Sequence, residues 1–191
     1  MLQVEVAVME GSGKNQFTGS LGDVMKESVS AAITWIRGHA DHYGIAPDFY
    51  KNKDIHIHFP EGAVPKDGPS AGITTTTAIV SALSGVAVRH DLAMTGEVTL
   101  RGRVLPIGGL REKSMAAYKN GMKTVLIPEG NKPDLAELDP VVLENIEFIP
   151  VSQVEQVLEL ALVSGKRRKA SSEPKQVKVS PDLPRDTAIP Q

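Results

Sequence analysis

The chain has 191 residues, 41% of them apolar and 23% charged, and a net charge of -2. That suffices for one compact domain with a short tail and excludes two large domains, and the near-neutral balance gives no bulk reason to expect nucleic acid or an anionic membrane. The absence of cysteine excludes a disulfide scaffold, a thiol nucleophile and a Cys-ligated metal and fits a reducing cytoplasm, and neither a secretory signal nor a run near the roughly 18 apolar residues of a membrane span is present.

Residues 1–9 alternate as a strand, and Gly11-Ser12-Gly13-Lys14 reads as a turn. From Leu21 to about Arg37 apolar residues recur at helical spacing, with Ser20 as the expected N-cap and Gly38 as the expected stop. Asp54 to Phe59 alternates as a strand, Ile55, Ile57 and Phe59 on one face and His56 and His58 on the other. The loop from Pro60 to Pro69 leads to a helix expected from about Ser70 to Leu83 and stopped by Gly85. Ala93 to Leu105 reads as two strands turned at Arg101-Gly102, Leu110 to Asn120 as a helix ended by Gly121, and Thr124 to Ile127 as a short buried strand closed by Pro128. Ile146 to Pro150 is a strand and Val154 to Leu162 a last helix. The interleaving predicts an α+β or α/β domain. After residue 163 the chain turns rich in Ser, Pro and charge, starting near Lys166-Arg167-Arg168-Lys169, and 164–191 is expected to be a disordered tail. That basic run reads as solvated in preference to a nucleic-acid contact.

Several candidate motifs lack the partners their chemistry needs. Gly11-Ser12-Gly13-Lys14 resembles a phosphate loop, but the pattern requires a glycine where Val8 stands and a Ser or Thr where Asn15 stands. His56 and His58 share a strand face without a third metal ligand at a recognisable spacing, so they read as surface or supporting histidines. Gly68-Pro69-Ser70-Ala71-Gly72 fits G-x-S-x-G, yet only His90 follows Ser70, no acidic residue stands between them, and a proline occupies the approach to the turn.

Ser70 keeps physical merit because it falls near a predicted helix start, where free N–H groups and the positive helix end gather. Such a place suits an acyl-transfer oxyanion. On local sequence alone a plain N-cap serine fits better. A lysine acts as a base only where burial or nearby positive charge disfavours its ammonium form. Lys113 follows Gly108-Gly109-Leu110 and opens an apolar helix, near a helix N-terminus where a cation is disfavoured. A solvated first-turn lysine fits the local pattern there too.

Taken together the signals narrow the reading. Pro65-Lys66-Asp67-Gly68-Pro69-Ser70-Ala71-Gly72 resembles the nucleophile signature of the Lon protease family, and Gly108-Gly109-Leu110-Arg111-Glu112-Lys113 resembles its lysine signature. Thr95 to Gly102, Val104 to Gly109, Phe17 to Gly22 and Pro47 to Tyr50 match in the same order, so the resemblance runs from about residue 1 to 163. The Pro-Lys-Asp before Gly-Pro-Ser resembles the soluble subfamily more than the membrane-anchored archaeal one.

The resemblance implies the α+β Lon proteolytic domain fold, shared in outline with the second domain of ribosomal protein S five and with the GHMP kinases. It implies Ser70 as nucleophile and Lys113 as general base, with the Ser70 N–H helping to hold the oxyanion. Thr95 would orient the lysine, and Asp67 would lie in a loop that takes active or inactive shapes. No cofactor is implied for this domain. ATP and magnesium belong to the family's AAA+ module, for which no motif is present. The chain is therefore expected to be an excised fragment, short of a segment before Leu2, with weak hydrolysis of unstructured peptides. Unfolded proteins, the AAA+ module and a homohexamer are the implied partners, in the cytoplasm, without membrane or nucleic acid. A non-enzymatic binding module and a small-molecule kinase of related fold are the other classes; the first needs a basic folded face and the second a glycine-rich phosphate loop.

Overall fold

The computed structural model describes residues 1–167 and is an α+β domain. The first sheet takes β1 (Glu5–Glu10), β2 (Asn15–Thr18) and β3 (Lys53–His58) in the order β1-β3-β2, with β1 antiparallel and β2 parallel to β3. Pairing starts at Glu5 because its partner, His58, ends β3. Ile55, Ile57 and Phe59 are buried, while His56 and His58 turn to the other face and both bond the Thr18 hydroxyl, at 2.8 and 2.7 Å.

Helix α1 (Asp23–His39) buries Met25, Val29, Ala32, Ile33 and Ile36 on one stripe. Its two ends differ from the sequence expectation. Ser20 is not the cap: it sits at φ 59°, and the N-cap is Gly22, without a side-chain bond. Gly38 does not stop the helix, which runs on to His39 and a single tight turn closed by Gly44 at φ 65°. Continuing through the glycine lets His39 stack on Trp35 at 4.2 Å and buries Ala40, offsetting a helical glycine penalty of about 0.5–1 kcal/mol.

Helix α2 (Phe49–Asn52) precedes β3, and α3 (Gly72–Ser84) packs on α1, capped at its C-terminus by Gly85 in the left-handed conformation. Thr76 and Thr77 are buried in α3 and return their hydroxyls to the carbonyls of Gly72 and Ile73 at 2.8 Å, which satisfies them inside the core.

The second sheet is fully parallel, with β5 (Leu92–Met94), β8 (Thr124–Pro128) and β9 (Glu147–Val151) in the order β5-β8-β9. Every residue of β8 is buried, as a central parallel strand covered on both faces should be. Leu126 enters the main core with α1, α3 and α6 (Val154–Ala161); Val125 and Ile127 enter a second cluster with α4 (Leu110–Lys119) and α5 (Pro140–Asn145). The stretch expected as two strands holds three, because β5 leaves for this sheet and only β6 (Glu97–Val98) and β7 (Val104–Leu105) form the hairpin.

Strand β4 (Val86–Val88) pairs antiparallel with β10 (Leu162–Arg167), which crosses the 163/164 position where composition changes. The expected tail from 168 to 191 lies outside the described residues.

The turn after β1 hangs on one carboxylate. Asp54 Oδ1 accepts the N–H groups of Lys14 and Ser12 at 2.8 Å each, and these bonds hold its carboxyl below the ordinary 3.8. A depressed folded value contributes stability above the unfolded pKa and loses it as pH falls through the folded one. Asp54→Ala is expected to melt below the parent at neutral pH, with the difference closing as the pH is taken under 3.8. Thermal scans down to about pH 2 check this; a difference that stays constant over that range would remove Asp54 from the acid response.

Candidate active site

Ser70 stands in the turn ahead of α3, closed by the Gly72 N–H on the Pro69 carbonyl at 3.0 Å. The helix itself begins at Gly72, two residues later than expected, and its N-cap is Ala71, which offers no side-chain oxygen. The cap role open to Ser70 in the sequence is therefore not the one it fills. Among the described residues neither the Ser70 nor the Ala71 N–H has a backbone acceptor. Two donors at a helix N-terminus thus remain for a bound oxyanion.

The chain at 95–98 fixes this turn. The Ser70 carbonyl accepts the Gly96 N–H at 2.9 Å and the Thr95 hydroxyl at 3.2 Å, and the Ile73 N–H returns to the Gly96 carbonyl at 3.1 Å. Gly72 makes the approach possible: a Cβ there would lie 2.8 Å from the Val98 nitrogen and 3.1 Å from the Gly96 oxygen. Thr95 is buried and ties the arrangement to β8 through its N–H and the Leu126 carbonyl at 3.1 Å. Its hydroxyl thus serves the Ser70 main chain; the resemblance implied that it helps orient the lysine.

Lys113 is the fourth residue of α4, whose N-cap, Gly109, takes the left-handed φ of 69°. Lys113 is exposed. Its stem folds back over the helix start, and Nζ donates to the Gly108 carbonyl at 2.8 Å. Glu112 lies close by, as its Oε2 and the Lys113 Nζ fall 3.3 and 3.4 Å from the Cβ position of Gly109.

Ser70, Thr95 and Lys113 line one cleft of about 500 Å³ between the start of α3, strand β5 and α4. Most of its remaining wall is apolar, including Leu2, Val4, Leu92 and Met94. Glu112 is its one acid and Lys113 its one base among the described lining residues. Asp67 is apart from the cleft lining. It is exposed, and its Oδ1 accepts the Met25 N–H at 2.9 Å and the Gly68 N–H at 2.8 Å, doing for α1 what Ser20 was expected to do. His56 and His58 stay on the far sheet, and among the described residues no three His, Cys, Asp or Glu are grouped to hold a metal. Sequence reasoning passed over Gly72 and Gly96 as packing glycines; the small residues at both places are the only local signal of the close approach.

The family described as the Lon protease (S16) C-terminal proteolytic domain matches residues 1–164. The Lon protease of Escherichia coli (strain K12) is 57% identical over 162 residues, covering 85% of this chain and 21% of that protein. The Lon protease of Finegoldia magna is 56% identical over 163 residues, with 85% and 21% covered. Lon protease 1 of Syntrophobacter fumaroxidans is 58% identical over 163 residues, with 85% and 20% covered. The chain spans about a fifth of the length of the curated relatives it matches.

A methyl group at residue 72 meets the backbone of the 96–98 segment, which a side-chain rotation cannot relieve. Gly72→Ala is expected to lose about 1–3 kcal/mol of stability and to move the Ser70 turn. Denaturant unfolding reads the first effect, and the rate at which a fluorophosphonate labels Ser70 reads the second. Parental values in both would show that the 95–98 segment yields freely.

Proposed function

The chain belongs to the family of Lon protease (S16) C-terminal proteolytic domains, and from that premise we propose that it hydrolyses peptide bonds with Ser70 as nucleophile and Lys113 as general base. The observation that carries the reading is the shared cleft: one hydroxyl at a helix start and one amine stand on the walls of a single cleft of about 500 Å³.

Lys113 takes the Ser70 proton as Oγ attacks the scissile carbonyl carbon. The N–H groups of Ser70 and Ala71 receive the oxyanion. The C–N bond then breaks, and Lys113 returns the proton to the leaving amine. Water next attacks the acyl carbon as Lys113 accepts its proton; the bond from that carbon to Ser70 Oγ breaks, Lys113 returns the proton to Oγ, and the fragment with the new carboxyl group leaves. Lys113 must first give up its own proton and its bond to the Gly108 carbonyl. A peptide lying over the cleft would exclude water from the exposed amine, and a desolvated lysine favours the neutral form. Thr95 acts by holding the Ser70 main chain, and Asp67 by fixing the loop to α1.

The remaining length of the relatives leaves room for a motor. In the whole protein we place this domain beside an AAA+ ATPase module that uses ATP and magnesium and feeds unfolded or damaged proteins, within a cytoplasmic homohexamer. The proteolytic step itself uses no cofactor. No described helix is long and apolar enough to cross a membrane.

Ser70→Ala is expected to abolish cleavage of an unstructured peptide while changing stability by no more than about 0.5 kcal/mol, since the hydroxyl supports no cap. Lys113→Arg is expected to be inactive as well, because arginine keeps the charge but holds its proton at any working pH. Peptide hydrolysis and thermal melting are measured on both variants. Turnover by Lys113→Arg would mean that the residue acts through charge, and the general-base role would fall.

A further inference from the structure

Two non-glycine residues among those described adopt positive φ, Ser20 at 59° and Glu61 at 63°. They lie in different segments, one between β2 and α1 and the other after β3, yet both carbonyls are directed at Lys66. Ser20 accepts the Lys66 main-chain N–H at 3.0 Å, and Glu61 accepts its ammonium at 2.7 Å. The ammonium also donates to the Val64 carbonyl at 3.0 Å and the Gly19 carbonyl at 3.3 Å. An ammonium has three donors, and each has a carbonyl. The Lys66 carbonyl in turn accepts the Gly22 N–H at 2.7 Å. Lys66 has no carboxylate partner among the described ion pairs.

Unfavourable backbone conformations persist only where their surroundings over-determine them, and they gather at sites that need a fixed geometry. Here Lys66 bonds both strained residues, Ser20 through its peptide N–H and Glu61 through its ammonium, while the Val64 N–H also closes on the Glu61 carbonyl at 3.0 Å. The next residue, Asp67, ties the loop to the start of α1, and Gly68 and Pro69 lead directly to Ser70. The downstream side of Ser70 is fixed by Thr95 and Gly96. The upstream side is fixed at Lys66 and Asp67.

We propose that Lys66 is a positioning residue for the Ser70 turn, its caged ammonium holding the 60–69 loop against the β2–α1 connection so that the serine meets its substrate in register. The proposal rests on the reading of Ser70 as nucleophile. Lys66 lies outside the lining of the cleft and touches no reacting atom.

Lys66→Met keeps the stem and removes the three donors. Four readouts on the full chain decide the matter: fluorophosphonate labelling of Ser70, kcat and KM on an unstructured peptide, hydrogen exchange of the loop amides, and thermal melting. The expected result is a fall of about tenfold or more in labelling rate and kcat. KM should change less than about twofold, and the Gly22, Met25 and Lys66 amides should exchange faster while those of β8 do not. Lys66→Arg, which retains donors, should recover part of the rate. Parental labelling and kcat in Lys66→Met would overturn the proposal. So would a loss that matches a global drop in melting temperature with β8 amides exchanging equally fast. If the parent takes no label at Ser70 while the loop amides still respond to Lys66→Met, the nucleophile reading fails and the anchoring role survives. If the parent is labelled and Lys66→Met is labelled as fast, the reverse holds.

Discussion

The contact between the first turn of α3 and the segment from Thr95 to Val98 is the constraint on which the rest depends. It is a backbone-to-backbone approach, possible because residue 72 has no side chain, and it is closed by hydrogen bonds in both directions. Through Thr95 it is continuous with β5 and the buried parallel sheet. Through α3 it is continuous with α1 and the main core. A displacement of either layer relative to the other would move the turn that carries Ser70.

Lys113 is held less tightly. The helix that carries it packs on the second, smaller cluster with β8 and α5, and its amine is fixed only by the carbonyl of Gly108. The proposed nucleophile therefore belongs to one packed unit and the proposed base to another, with β8 as the shared wall: Leu126 faces one cluster, Val125 and Ile127 the other. A rigid serine and a lysine that must change partners fit a step in which a proton is collected and then delivered.

Most of the element types were legible in the sequence. Apolar periodicity located α1, α3, α4 and α6, and the alternation from Asp54 to Phe59 placed β3 with the correct residues inward. Ser70, Thr95 and Lys113 were legible through a family signature, and they do come together around one cleft. What remained hidden was decided by partners far away in sequence. The cap of α1 comes from Asp67, more than forty positions on, and local rules pointed instead to Ser20. Gly38 carries the usual stop signal, but stacking of His39 on Trp35 outweighs it. Strands β2 and β4 are too short to show a period and exist because β3 and β10 offer them edges. Exposure of Lys113 was one of two readings left open, because helix position says nothing about how open the neighbouring groove is.

Helix α3 carries one further consequence. Ile73 to Thr77 is an unbroken run of β-branched residues, which lose rotamer freedom in a helix and make it a poor autonomous former. In a chain leaving the ribosome this segment has little reason to wind up until β1, α1 and the 95–98 segment are in place to bury it. The serine at its head then acquires its oriented N–H groups only when the whole domain has closed. Order of assembly would thus act as a safety catch, keeping the proposed nucleophile inert in the nascent protein.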